Sequence, residues 1–408
     1  MVERVVVTGI GIASVCGFDK TSFWNGLLTG ESTITDIFKE EFDKPYKLGM
    51  LDSDKKNAFL KENLSDSERE KMLPCAEIAA AAAKAAVKDS GLDALNSGVG
   101  RFEVGVSVGT TNGELAVLEK RMRENSELNA NDIIKSYSHL DIAVHTAQAV
   151  GAGGSVSLHA DACSSSNIAA AYAYELIRHG RATRMIVGGA DVFAPMIVCG
   201  FAAMRALSDT FPTPFDVNRK GIVLSEGASM LVLESLSSAI ARKAHIYGEV
   251  LGYGISNDAC HMASMDTTGL GIAAALEKAI IKSGIDKSKV DYFCAHGTGT
   301  QVNDSCESKA LCSVFGEHIT DIPVSSIKGA LGHSLGAAAG FGLTASLLAM
   351  EHNVIPPTAH LVEQDSSFPI KVLNKPEHLA ANIIMNNSSA FGGANCCVVL
   401  GRLGENEI

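Results

Sequence analysis

Aromatic side chains are scarce in this chain of 408 residues, at 6% with a single tryptophan, so small and aliphatic residues must fill the interior. Basic residues are also short. Lys and Arg number 34 against 46 Asp and Glu, and the net charge of -12 argues against general nucleic-acid binding, although a local basic patch could still meet an acidic partner. No apolar run is long enough to cross a bilayer, and no charged and apolar leader precedes the first strand, Arg4 to Thr8, so a soluble cytoplasmic protein without membrane contact is expected. Among the ten cysteines no two form a CxxC pair and no spacings repeat, which excludes a disulfide framework and points to reduced thiols. Asp258-Ala259-Cys260-His261 offers half a metal site, but no second ligand pair stands at a suitable spacing and no metal is expected.

What is present is 46% hydrophobic residues and 39 glycines, a composition suited to an α/β protein in which small-residue helices pack on sheets. The length exceeds one ordinary core and implies two domains or two fused halves. Val5 to Gly11 reads as a buried strand entering a glycine turn. Gly9 and Gly11 resemble a dinucleotide fingerprint, but a third glycine and a closing acidic residue are missing. Residues 24 to 71 read as surface helices and loops, and Cys75 to Ser90 as an alanine-rich helix closed by Gly91. The polar stretch from Glu114 to Ser138 is expected at a subunit contact or over a pocket. From Glu249 the plan starts again. The strand ending at Gly109-Thr110-Thr111 matches the one ending at His296-Gly297-Thr298, and the strand-to-helix passage at Cys163 matches that at His333. Two similar halves, 1–248 and 249–408, are expected to share one site.

Candidate chemistry lies where apolar strands end. Ser157 to His159 closes a strand, and Cys163 follows in a tight turn at the start of a helix. There the unpaired backbone N–H groups and the helix dipole would favour a thiolate and lower its pKa. Taken alone, Cys163 is equally well a small buried hydrophobe. Three more loops follow strands: His296-Gly297-Thr298-Gly299-Thr300, the segment from Lys328 to His333 and Gly336, and Asn387 to Asn395 with Phe391 amid glycines. A thiol, two imidazoles and a glycine loop offering N–H groups form the set needed for acyl transfer through a thioester.

With these motifs the chain resembles a β-ketoacyl-acyl-carrier-protein synthase, an elongating ketosynthase of the thiolase superfamily, over essentially its whole length. The resemblance implies a thiolase-like α/β fold with stacked sheets around buried helices in αβαβα layers. It implies Cys163 as nucleophile, His296, His333 and Lys328 as its catalytic partners, and the backbone N–H groups of Cys163 and Phe391 as an oxyanion hole, with Phe391 as gate. Thr298 and Thr300 would contact a phosphopantetheine arm. No cofactor is implied, because the substrates ride on the phosphopantetheine of an acyl carrier protein. The expected reaction is decarboxylative condensation of an acyl group with a malonyl thioester, in fatty-acid or type II polyketide synthesis. The expected assembly is a homodimer, or a heterodimer with a chain-length-factor-like subunit.

Some positions depart from the family pattern. Gly340-Phe341-Gly342-Leu343 replaces a segment that usually holds a glutamate, which would leave Lys328 without its carboxylate. Asp161 stands where threonine is common, Lys220 and Ile222 where Asp and Phe are frequent, and Ser389 where an aromatic is usual. These changes suggest a specialised paralogue, as in type II polyketide systems. Three alternatives remain: a chain-length-factor-like partner, which would typically lack the nucleophile; a thiolase, which would need a second catalytic cysteine; and acyl transfer to a nucleophile other than carbon.

Overall fold

The computed structural model describes residues 2–92, 99–124 and 138–404. Eleven strands form one sheet: β1 (Val5–Ala13), β2 (Val104–Gly109), β3 (Val156–His159), β4 (Arg184–Asp191), β5 (Gly227–Ser235), β6 (Gly248–Asn257), β7 (Tyr292–Cys294), β8 (Pro323–Ser325), β9 (Lys371–Val372), β10 (Ile383–Ser389) and β11 (Ala394–Gly401). Their spatial order is β9-β8-β7-β10-β11-β6-β1-β5-β4-β2-β3. Most of these strands are apolar and buried on both faces, as strands sandwiched between helices must be.

The repeat legible in the sequence is a repeat of strand pairing. From β1 outward the neighbours β5, β4, β2 and β3 join antiparallel, antiparallel, parallel and parallel. From β6 outward β11, β10, β7 and β8 join in the same series, and β9 adds a parallel edge strand. Only Val5 to Val7 of β1, paired with Gly248 to Val250 of β6, connect the two series.

Six helices matter for the site: α1 (Pro74–Asp89), α2 (Leu140–Val150), α3 (Ser165–Arg178), α4 (Leu270–Ser283), α5 (Gln301–Phe315) and α6 (Ala338–His352). The helix α3 touches β2, β4 and β5 of the first series and β6 and β11 of the second, and it packs on α6. Residues 338 to 350 of α6 are all buried, so this helix shows no polar face. These two helices are the middle layer, α1 and α2 cover the outside of the first series, and α4 and α5 cover the second. The αβαβα layering is therefore present, with both sheets belonging to one ladder folded over at the junction of β1 and β6.

Two local expectations change. Gly9 and Gly11 are not a turn, because β1 runs through them to Ala13. They are small because α1 lies against them: a methyl at Gly11 would stand 1.9 Å from the carbonyl oxygen of Ala82. Residues 24 to 71 are not all surface. Trp24, Leu27 and Leu60 are buried, and Ile34–Ile37, Tyr46–Gly49 and Leu224–Ser225 form a small three-stranded sheet. The stretch from Glu114 to Ser138 begins with a helix, Leu115–Glu124, and most of the rest lies outside the described residues. Among the described residues, no helix is long and apolar enough to cross a membrane.

Candidate active site

Cys163, His296, His333 and Phe391 arrive at one place because β3, β7, β8 and the turn between β10 and β11 end on the same side. Cys163 lies in a short 3-10 turn, Ala162–Ser164, that leads into α3. Ala162 takes φ of 49°, a left-handed conformation that non-glycine residues enter at a cost, and the sharp elbow presents the thiol to the cavity. Ser164 Oγ donates to the Ala394 carbonyl at 2.8 Å, tying this elbow to the Phe391 loop.

The Cys163 sulfur and one ring nitrogen from each of His296 and His333 lie within 4.8 Å of one another. The two imidazoles meet edge to face, with ring centres 5.3 Å apart. Both rings have their tautomer set by a neighbour. The Leu335 backbone N–H donates to His333 Nδ1 at 3.2 Å. The Lys328 ammonium, which has no lone pair, lies 3.4 Å from His296 Nδ1 and donates to the His296 carbonyl at 2.5 Å. In each ring Nδ1 is thus an acceptor and Nε2 carries the hydrogen. A cysteine and two histidines this close could hold a metal ion, but a metal-bound imidazole normally donates its other N–H to an acceptor. Here Nδ1 of both rings faces a donor, so the rings offer N–H groups to the cavity and not lone pairs.

Burial dominates the electrostatics. It pushes the Cys163 thiol up to about 12 against the pull of the Lys328 charge, with Asp191 adding to the rise. The helix-dipole expectation of a lowered pKa is corrected: loss of solvent around the sulfur outweighs the dipole. Burial and then Lys328 hold both His296 and His333 well below the usual imidazole range, so both are neutral. Alkylation checks the thiol. The iodoacetamide rate at Cys163, read by peptide mass, is expected to rise about tenfold per pH unit through pH ~9 without levelling, because only the thiolate reacts.

Lys328 is not left without a carboxylate. Its own pKa is lowered by burial, and Glu307 is the largest opposing influence. Within the segment Gly340 to Leu343 that lacks the glutamate, Gly342 has no room for a larger side chain, since a Cβ there would stand 2.2 Å from Asn386 Oδ1. Asn386 uses that space to bond Asn167 Oδ1 at 2.9 Å and the Ala339 carbonyl at 3.1 Å.

Three buried carboxylates that the sequence reading passed over hold the loops. Glu307 accepts from the backbone N–H groups of His296 and Gly297 at 2.7 and 2.8 Å. Asp304 accepts from Thr298 and Gly299 at 3.0 and 3.2 Å, and from Phe215 at 2.8 Å. Asp191 accepts from Gly336 beyond His333 at 2.7 Å, and from Thr110, Thr111 and Asn112. The pair at 304 and 307 was findable, since i and i+3 share one face of a helix that begins just after the His296 loop.

The catalytic cavity is small, about 30 Å³, and is lined by Cys163, His296, His333, Thr298, Thr300 and Phe391 among others. Phe391 stacks on Phe201 with ring centres 5.9 Å apart. Beyond them an outer funnel of about 490 Å³ is lined by Arg205, Arg219 and Lys220, and it shares Thr300, Asn303, Met265 and Phe391 with the inner space. Lys220, the departure noted above, pairs with Asp209 at 3.1 Å on the rim of this funnel. Ser389, another departure, is buried and lines the inner cavity. Cys396 and Cys397 are buried in β11 and line neither space.

Residues 2–239 match the family profile described as "Beta-ketoacyl synthase, N-terminal domain", and residues 247–362 the one described as "Beta-ketoacyl synthase, C-terminal domain". The chain is 34% identical to the tetracenomycin polyketide synthase ketoacyl synthase alpha subunit of Streptomyces glaucescens, covering 98% of this chain and 97% of that one. It is 33% identical to 3-oxoacyl-[acyl-carrier-protein] synthase 2 of Staphylococcus aureus, covering 97% and 98%. Among solved structures, the ishigamide ketosynthase/chain length factor superposes with a TM-score of 0.89 at 32% identity, covering 99% of this chain and all of that one. A type II polyketide synthase acyl-carrier protein in complex with its ketosynthase, bound to the hexaketide, gives 0.88 at 28% identity, again covering 99% and all.

Proposed function

The chain belongs to the β-ketoacyl synthase family, an acyl-transferring enzyme group, and from that premise we propose how its residues divide the work of decarboxylative condensation. The observation that carries the reading is the pair of neutral imidazoles whose Nδ1 atoms are both engaged by donors, beside the thiol of Cys163.

In the first half-reaction an acyl thioester on the phosphopantetheine of an acyl carrier protein enters past Phe391 and Met265. The cavity, at about 30 Å³, is too small for an acyl thioester, so these side chains must move to admit it. Cys163 attacks the thioester carbonyl. The thiol gives up its proton to solvent and the departing pantetheine thiolate takes one from solvent, so both histidines stay neutral N–H donors and the acyl group rests on Cys163. The Lys328 charge is the principal influence favouring the transient thiolate. The backbone N–H groups of Cys163 and Phe391 serve as the oxyanion hole.

In the second half-reaction a malonyl thioester takes the same route, with Thr298 and Thr300 along the arm. Loss of carbon dioxide leaves an enolate whose oxygen receives hydrogen bonds from Nε2–H of His296 and His333. The carbanion attacks the acyl carbonyl, and collapse of the tetrahedral intermediate frees the Cys163 thiolate, which takes a proton from solvent. Neutral donors suit this step, because a charged imidazolium would surrender its proton to the enolate.

The two halves, read as 1–248 and 249–408, each supply part of the site: the nucleophile from one, both imidazoles from the other. The partners are an acyl carrier protein and a second subunit, either a copy of this chain or a chain-length-factor-like protein. The relatives serve fatty-acid and polyketide assembly, and the named complexes of the structural neighbours support both partners. A thiolase reading is disfavoured because no second cysteine reaches the cavity among the described residues. The test is a reaction of purified protein with an acyl carrier thioester and carboxyl-labelled malonyl carrier protein. Labelled carbon dioxide and a β-ketoacyl carrier product in equal amounts are expected; carbon dioxide without condensed product, or neither, refutes the assignment.

A further inference from the structure

Building on the ketosynthase reading, we propose that Asn303 binds the carrier arm, its side-chain oxygen accepting a hydrogen bond from the arm's amide N–H as the thioester passes from the outer funnel to Cys163. Asn303 stands in the first turn of α5 and is only 4% exposed. Two neighbours set its orientation. Its backbone N–H donates to Thr300 Oγ1 at 3.3 Å, and its Nδ2 donates to Asp304 Oδ1 at 3.2 Å. Turning the amide over would press Oδ1 against the Asp304 carboxylate, so the oxygen is the end that points away from it. Among the described residues that oxygen has no donor. A buried acceptor without a donor is costly, and each one in a native fold calls for a reason.

The location supplies the reason. Asn303 lines both the catalytic cavity and the outer funnel, so it belongs to the throat through which any substrate reaches Cys163. Asn387 and Asn395 also carry buried side-chain oxygens without donors, but neither lines the cavity or the funnel, and the unpartnered Ser389 hydroxyl belongs to a residue that lines the inner cavity alone. The oxygen can only accept, so its ligand must donate. A pantetheine thioester carries its first amide two methylene groups from the sulfur, with an N–H to give and a carbonyl to receive. Thr298 and Thr300, whose hydroxyls are 3.0 Å apart, provide donors for the carbonyl on the same rim. Asn303 completes the set by serving the N–H, a contact a simple alkyl thioester could not make.

The experiment uses two synthetic donors of one acyl group. One is the N-acetylcysteamine thioester, and the other is its analogue with an ester oxygen in place of the amide N–H. Loading of Cys163 is followed by intact-protein mass in the wild type, Asn303→Ala and Asn303→Leu, the last filling the volume without an acceptor. The wild type is expected to favour the amide donor by about tenfold in kcat/KM, expressed mainly in KM, and both variants by no more than about twofold. A wild type without preference, or variants that slow both donors equally and keep the preference, overturns the role of Asn303 and leaves the ketosynthase reading standing. Failure of the wild type to load from either donor and from an acyl carrier protein overturns that reading and this one together.

Discussion

Cys163→Ala is expected to fold as the wild type does and to lose condensation by on the order of a thousandfold or more, because no other thiol can take the acyl group. The side chain is nearly buried, and alanine, smaller by one sulfur atom, fits the strained elbow at the start of α3 without new contacts. The cost in stability is therefore small, about 1 kcal/mol for one buried sulfur atom. The loss must appear in both half-reactions read through the enzyme, acyl transfer and ketone formation, while thermal unfolding stays close to that of the wild type. Substantial β-ketoacyl product from the alanine variant would show that a different group carries the acyl chain. Cys294, Cys396 and Cys397 are poor substitutes, since they are buried within β7 and β11 and none lines the cavity.

The second large effect falls on malonyl decarboxylation. Removing one N–H donor from an oxyanion site costs about 10²–10³ in rate, so His296→Ala and His333→Ala should each slow carbon dioxide release by about that factor. The two donors serve one oxygen, so the double variant should lose less than the product of the single losses. The tautomers make a sharper distinction possible. If each ring acts as a neutral N–H donor, His333→Asn should recover part of the decarboxylation that His333→Ala loses, because an amide also donates. If the ring acts as a base in that step, the asparagine variant should be no better than alanine. The Leu335 N–H and the Lys328 ammonium, both directed at Nδ1, favour the first result.

Much of the candidate site was legible in the chain because each member follows an apolar strand in its own local stretch. Cys163, His296, His333 and Phe391 could be found one loop at a time, and the repeated strand-to-helix passages showed that the loops converge. Contacts between distant stretches could not be read in this way. Asp191 closes β4, yet it steadies Gly336 across 145 residues, and nothing near either position announces the bond. The lack of a glutamate in Gly340 to Leu343 looked like a loss to Lys328 until Asn386, far along the chain, proved to occupy the space beside Gly342. Gly9 and Gly11 carry half a nucleotide motif because α1 presses on β1, a packing demand that leaves the same mark in sequence as a turn. The direction of the Cys163 pKa failed for a further reason. A helix N-terminus can be inferred from local residues, but the burial that outweighs it is produced by four loops closing together.

The most direct measurement is the intact mass of the protein after incubation with an acyl carrier thioester, followed by addition of malonyl carrier protein. One acyl group per chain should appear, map to Cys163, and disappear on the second addition as carbon dioxide and a β-ketoacyl carrier product form. No mass gain, an acyl group that survives malonyl carrier protein, or an equal gain in Cys163→Ala would contradict the central claim that Cys163 holds the chain while His296 and His333 prepare its partner.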